Sequence, residues 1–123
     1  MFRQPPSGYD PHMKPHSMLA QCTVADLAVA QEWYEKVFER GPDLRPMDGL
    51  LEWHFGRSAG LQVWLDPERA GRSTVVLDIP HFGDELRRLD HLGIVHDDPV
   101  HTPRFQVVTL YDPDNNRIVL TGD

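Results

Sequence analysis

The sequence predicts an α+β fold built from two βαβββ modules whose sheets enclose a concave cavity. Three observations lead there. The order strand, helix, then three strands occurs twice although the halves share little residue identity, which indicates a structural duplication. Each half has one helix to cover one sheet face, so the other face of each sheet needs cover elsewhere, within the chain or across a dimer. The 123 residues are the size of one domain, long enough to bury about two-thirds of the unfolded surface without staples.

Residues 1–17 hold Pro5, Pro6, Pro11 and Pro15 with no apolar period, and read as an extended arm, disordered or laid across a neighbour, which it is long enough to reach. The single domain then occupies residues 18–123. "SMLAQCTV" is a first strand, with Ala20, Cys22 and Val24 on one face and Leu19, Gln21 and Thr23 on the other. Asp26 caps a helix with an apolar stripe of Leu27, Ala30, Trp33, Tyr34, Val37 and Phe38, and Gly41 followed by Pro42 is expected to stop it. "DLRPM" is an edge strand, since Pro46 cannot donate to a ladder. "LLEWHF" and "GLQVWL" form a hairpin around "GRSAG", and the turn "DPERAG" closes the first module, about residues 18–66.

The second module, about residues 73–122, opens with the strand "STVVLDI". The helix "FGDELRRLDHLG" is expected to bury Leu86, Leu89 and Leu92 and to close at Gly93. "GIVH", "RFQVVTLY" and "RIVLTG" follow as strands. The last two form a hairpin around "DPDNN", where Pro113 presets φ while Asn115 and Asn116 tolerate positive φ.

Composition removes several function classes. A formal charge of −7 with no Lys/Arg cluster argues against nucleic acid. No apolar run approaches the length of a membrane span, and the N-terminal residues lack the apolar middle of a signal peptide. The single cysteine, Cys22, excludes an intrachain disulfide and fits a reducing compartment, so the expected location is cytoplasmic. Small molecules or protein partners remain.

The two modules, "VADLAVAQEWYEKVF" after the first strand and "DPDNN" before the last together resemble the vicinal oxygen chelate superfamily, over residues 18–122. This is the glyoxalase, bleomycin-resistance and extradiol-dioxygenase group. "YDPDNNRIVL" is similar to the family's Asp-Pro-Asp-Gly-Asn turn, with Asn115 in place of glycine. The resemblance implies mixed sheets, cavities closed between modules and a homodimer. In the family's enzymes it also implies a divalent metal on inward-facing strand residues. Those ligand positions fall here on Leu19, near Gln62, near Thr74 and on Val119. Catalytic metal sites need carboxylate, imidazole or thiolate donors, and one amide oxygen does not supply them. The expectation is the metal-free, bleomycin-resistance-like branch: no catalytic residues, no cofactor, and a small organic molecule or antibiotic bound in a crevice. An enzyme of glyoxalase or dioxygenase type and a non-catalytic interaction module remain alternatives.

Strand parity places Gln21, Thr23, Gln62, Trp64, Thr74, Val76, Thr109, Tyr111, Arg117 and Val119 away from the helices. All but Val76, together with Trp53, are the expected ligand-binding residues, because pockets are mostly apolar with a few polar anchors. Parity leaves open whether Trp53 or Glu52 and His54 face the cavity. Burial preferences favour a core or stacking Trp53 with solvated Glu52 and His54. Gln62 and Trp64 share a face two residues apart, an amide beside an aromatic platform. His91, His96 and His101, with Asp97 and Asp98, run from a helix end through a polar loop and read as solvated. His12 and His16 in the arm are equally bland, and Cys22 falls on the helix-packed face as an inert thiol.

Overall fold

The computed structural model describes residues 12–123. Most of the expected N-terminal arm lies outside the described residues; from His12 to Ser17 the chain is exposed and carries no regular secondary structure. The first module consists of β1 (Met18–Val24), α1 (Leu27–Phe38), β2 (Leu44–Met47), β3 (Leu50–Phe55) and β4 (Ala59–Leu65). The second consists of β5 (Thr74–Asp78), α2 (Phe82–His91), β6 (Val100–His101), β7 (Gln106–Tyr111) and β8 (Arg117–Gly122). Each builds a four-stranded mixed sheet, in the orders β1-β4-β3-β2 and β5-β8-β7-β6, with β1–β4 and β5–β8 parallel and the rest antiparallel. The expected α+β architecture is the one observed. No helix among the described residues is long and apolar enough to cross a membrane.

Alternation along the strands assigns the two faces. Cys22, Val24, Leu51, Trp53, Leu61 and Val63 of the first sheet and Val75, Val108, Leu110, Ile118 and Leu120 of the second are buried in one apolar core with Ala30, Tyr34, Val37, Phe82 and Leu89 of the helices. The edge strands β1 and β5 adjoin. The helices also touch: the Arg88 guanidinium of α2 donates to the carbonyls of Lys36 (2.9 Å) and Val37 (2.6 Å) in the last turn of α1. Both helices therefore lie on one side of the joined sheets, and both helix-free faces turn the other way.

Three local expectations are corrected. Helix α1 ends at Glu39, in the left-handed region at φ 61°, before Gly41 is reached; Arg88 satisfies its open carbonyls, so no glycine cap is needed. In α2 the core contacts come from Phe82 and Leu89, Leu86 is half-buried, and Leu92 is 43% exposed because the helix stops before it. "GIVH" is not a strand. Ile94 is buried, His96 forms only an isolated bridge to Leu110, and the short edge strand is Val100–His101.

The "DPDNN" turn joins the modules. Asn115 adopts φ 72°, the position where the family has glycine, and asparagine tolerates it. Asn116 does not take positive φ; its fully buried amide donates to Thr23 O (2.7 Å) and Asp112 Oδ2 (2.8 Å) and accepts from Ser73 N (2.9 Å). Asp112, 3% exposed, also accepts from Tyr34 Oη (2.7 Å) on α1. A motif that reads as a surface turn is the polar centre of the interface between the modules.

Candidate ligand-binding site

Register fixes what stands on the helix-free face of the first sheet. Gln21 pairs with Gln62 and Gln62 with Glu52, so three polar side chains form one row across β1, β4 and β3. The row is continuously hydrogen-bonded: Gln21 Nε2 donates to Gln62 Oε1 (3.0 Å) and Gln62 Nε2 donates to Glu52 Oε2 (2.8 Å). The other Glu52 oxygen lies 2.6 Å from His54 Nε2, on the same face. Glu52 is covered by these neighbours rather than solvated as expected, and accepting from Gln62 and then His54 holds its carboxyl below the usual carboxylate range. The neighbouring row is Thr23, Trp64 and Leu50, and Trp64 is half-buried. An apolar ring thus stands beside a row whose amide hydrogens are aligned by a single carboxylate.

Two expected ligand-binding residues are buried. Trp53 pairs with Leu61 on the helix-covered face, is 0% exposed, packs on Tyr34 and Phe38, and donates from Nε1 to Arg40 O (3.0 Å). It is a core residue, because the register that sends Glu52 and His54 outward sends Trp53 inward. Thr23 is on the expected face, but the segment joining the modules covers it: its hydroxyl donates to Arg69 O (2.7 Å) and the residue is 8% exposed.

On the second sheet Thr74, Arg117 and Tyr111 form one cross-strand row, and Val76, Val119 and Thr109 form the next. Thr74, Tyr111 and Arg117 line an open cleft of about 520 Å³ with Gly71, Arg72, Ser73 and Asn115. Tyr111 Oη donates to Asp97 Oδ2 (2.7 Å), and that bond raises the phenol above its ordinary value. The hydrogen bonds of Thr23 and Ser73 to Asn116 set the Thr23–Trp64 row and the Thr74–Arg117–Tyr111 row at the same end of the two sheets.

The positions at which the resemblance implies a metal do not fit one. Leu19 lies over Gly60, where an added Cβ would meet Leu19 Cδ2 at 2.5 Å, and Val119 is a hydrocarbon opposite Thr109. Gln62, bonded to Gln21 and Glu52, offers only a neutral amide oxygen. Among the described residues no group of three or more His, Cys, Asp or Glu side chains is placed to hold a metal ion. The loop histidines do not converge: His96 bonds Asp90 and the Asp97 carbonyl (2.6 Å), and the Asp97 bond, then Asp90, raises its pKa, while His91 and His101 are exposed. Sequence reasoning missed Arg72 and the Glu52–His54 contact. An arginine beside a strand carries no local signal, whereas the i,i+2 spacing of Glu52 and His54 does place them on one face.

Solved structures share the fold. A glyoxalase/bleomycin resistance protein from Catenulispora acidiphila matches with TM-score 0.81 at 21% identity, over 88% of this chain and 98% of that one. The fold is that of the vicinal oxygen chelate superfamily. TnmS3, an antibiotic binding protein from a Streptomyces species, has the same fold at TM-score 0.73 and 26% identity, over 90% of this chain and 98% of its own. A bleomycin resistance determinant encoded on the transposon Tn5 matches at TM-score 0.72 and 17% identity, over 87% and 97%. No protein-family model and no curated protein matches the sequence. The vicinal oxygen chelate fold therefore rests on geometry, with the two βαβββ modules in the order the resemblance implied.

Proposed function

We propose that this chain is a cytoplasmic, metal-free binding protein that holds a small organic molecule on the helix-free faces of its sheets. The observation that carries the reading is the Gln21–Gln62–Glu52 row beside Trp64, on a face that no helix of the described chain covers. A stacking ring fixes the plane of a ligand, and aligned amides donate to and accept from its edge. The donor chemistry at Leu19, Gln62, Thr74 and Val119 supports binding without a catalytic metal. TnmS3, an antibiotic binding protein of the same fold, supports an antibiotic or related natural product as the ligand class. Gln21, Gln62, Trp64, Thr74, Thr109, Tyr111, Arg117 and Val119 are the residues we assign to the ligand. Exposed apolar side chains on the same faces, Leu19, Leu44, Val76 and Val100, support a homodimer. A thermal-shift screen of antibiotics and aromatic metabolites tests the reading, since a ligand at a hundred times its Kd stabilises by about 2.7 kcal/mol. A true ligand loses its effect in Trp64→Ala; a screen with no stabilising compound refutes the reading.

One observation favours a second reading, acid–base chemistry without a metal. Glu52 engages Nε2 of His54, and a carboxylate that fixes one imidazole nitrogen leaves Nδ1 to exchange a proton with a ligand. Mass spectrometry of screened compounds after incubation decides: modified product that disappears with His54→Gln supports it, and compounds recovered unchanged exclude it.

A further inference from the structure

The cleft at the junction of the modules has a chemistry of its own. Arg72 precedes β5 and Arg117 opens β8, and both side chains are exposed at the cleft. Arg40, Arg69, Arg87 and Arg88 are ion-paired, whereas among the described residues Arg72 and Arg117, like Arg45, Arg57 and Arg104, have no carboxylate partner. What sets Arg72 and Arg117 apart is that both line one cleft. Both project from backbone that is held in place. Arg117 N donates to Ser73 O (2.9 Å), and Ser73 N donates to the buried amide of Asn116 (2.9 Å). At Gly71 (φ 84°) an added Cβ would sit 2.1 Å from Asp114 O, so the linker is pressed against the turn. Thr74 stands beside Arg117 in the same row, offering a hydroxyl. Two carboxylates border the cleft and both are engaged: Asp97 accepts from Tyr111, on the far side of Arg117, and Asp114, against Gly71, accepts from Ala25 N (3.2 Å).

We propose that this cleft is an oxyanion subsite in which Arg72 and Arg117 clamp the carboxylate or phosphoryl group of a small molecule and Thr74 Oγ1 donates a further hydrogen bond. The planar guanidinium presents five donors in a fork that matches both groups, and the fork loses less freedom per hydrogen bond formed than a flexible ammonium would. The subsite rests on the ligand-binding reading for its biological role, and it gives the ligand a negative charge at the end of the sheets where Trp64 stands.

Amide chemical-shift titration of the full chain with phenyl phosphate, benzoate and neutral benzyl alcohol tests it. Phenyl phosphate or benzoate is expected to move the amides of Arg72, Ser73, Thr74 and Arg117, more weakly as salt is raised, while benzyl alcohol leaves them in place. The tighter of the two anions identifies the group as phosphoryl or carboxylate. The Arg72→Gln/Arg117→Gln double variant is expected to lose at least about tenfold in affinity, the worth of one hydrogen bond to a charged group. Arg57→Gln, on an exposed turn, keeps it. Equal binding of benzyl alcohol, unchanged affinity in the double variant, or shifts spread over Arg57 and Arg104 as well overturns the subsite. Aromatic ligands that bind at Trp64 without preference for charge overturn the subsite and leave the ligand-binding reading standing. Anion binding at the arginines with no ligand at Trp64 does the reverse.

Discussion

Trp53 and Trp64 carry the same ring in opposite settings, and single substitutions separate the two roles. Trp64→Ala removes a half-buried platform on the helix-free face, and ligand affinity is expected to fall by at least ~1 kcal/mol with little change in the denaturation midpoint. Trp53→Ala empties the core under α1 and should cost about 3 to 5 kcal/mol of stability instead. Denaturation run beside a binding titration reads both; a Trp64 variant that unfolds easily yet binds normally while folded refutes the assignment. A third residue makes stability depend on pH. Burial raises the Cys22 thiol from 9.0 to about 11, and the neighbouring Tyr34 phenol is raised further, again first by burial. The unfolded chain releases these protons first, so above pH 9 the folded state binds more protons and stability falls as pH rises. Cys22 contributes at most about 1.4 kcal/mol per pH unit in that window. Denaturation midpoints on either side of the window should therefore drop in the wild type and drop less in Cys22→Ala.

At the scale of elements, the turn between β7 and β8 governs more than the hairpin it closes. Asn116→Ala would strand Ser73 N and remove one of the two donors to each of Thr23 O and Asp112 Oδ2, inside the junction of the modules, and is expected to cost about 1 to 3 kcal/mol. Asn115→Gly should be neutral or slightly stabilising, because the native φ of 72° suits glycine better than asparagine. Thermal unfolding of the two neighbouring variants is the check, and equal effects would refute the division of labour. The contrast also shows what the sequence makes legible. Turn chemistry marks the place and Asn115's conformation, because those are local properties of the chain. That Asn116 reaches β1 depends on how the modules dock, which no spacing within "DPDNN" encodes. Likewise strand alternation assigns Gln62, Trp64 and Arg117 to their faces, while the choice between Trp53 and Glu52 needs the register of β3 on β4. The weak strands are misjudged where apolar residues such as Ile94 pack into the core without pairing.

For the whole molecule, the decisive question is what covers the helix-free faces. The core accounts for one side of each sheet, and the far side leaves Val76 at 63%, Val100 at 59% and Leu44 at 50% exposure. These side chains are spread over β2, β5 and β6 of the open faces, and a second copy of the chain is the cover we propose for them. A second copy brings a face of the same composition, and an isologous contact would cover each Trp64 and its amide row with the partner's sheet, enclosing the ligand that a single open face leaves exposed. Sedimentation at micromolar concentration should then show a dimer, and Val76→Asp should shift it towards monomer by placing a charge in the contact while the core residues beneath remain untouched. Ligand affinity is expected to fall together with dimer content. A wild-type monomer that binds with full affinity would assign the whole site to one chain and remove dimerisation from the mechanism.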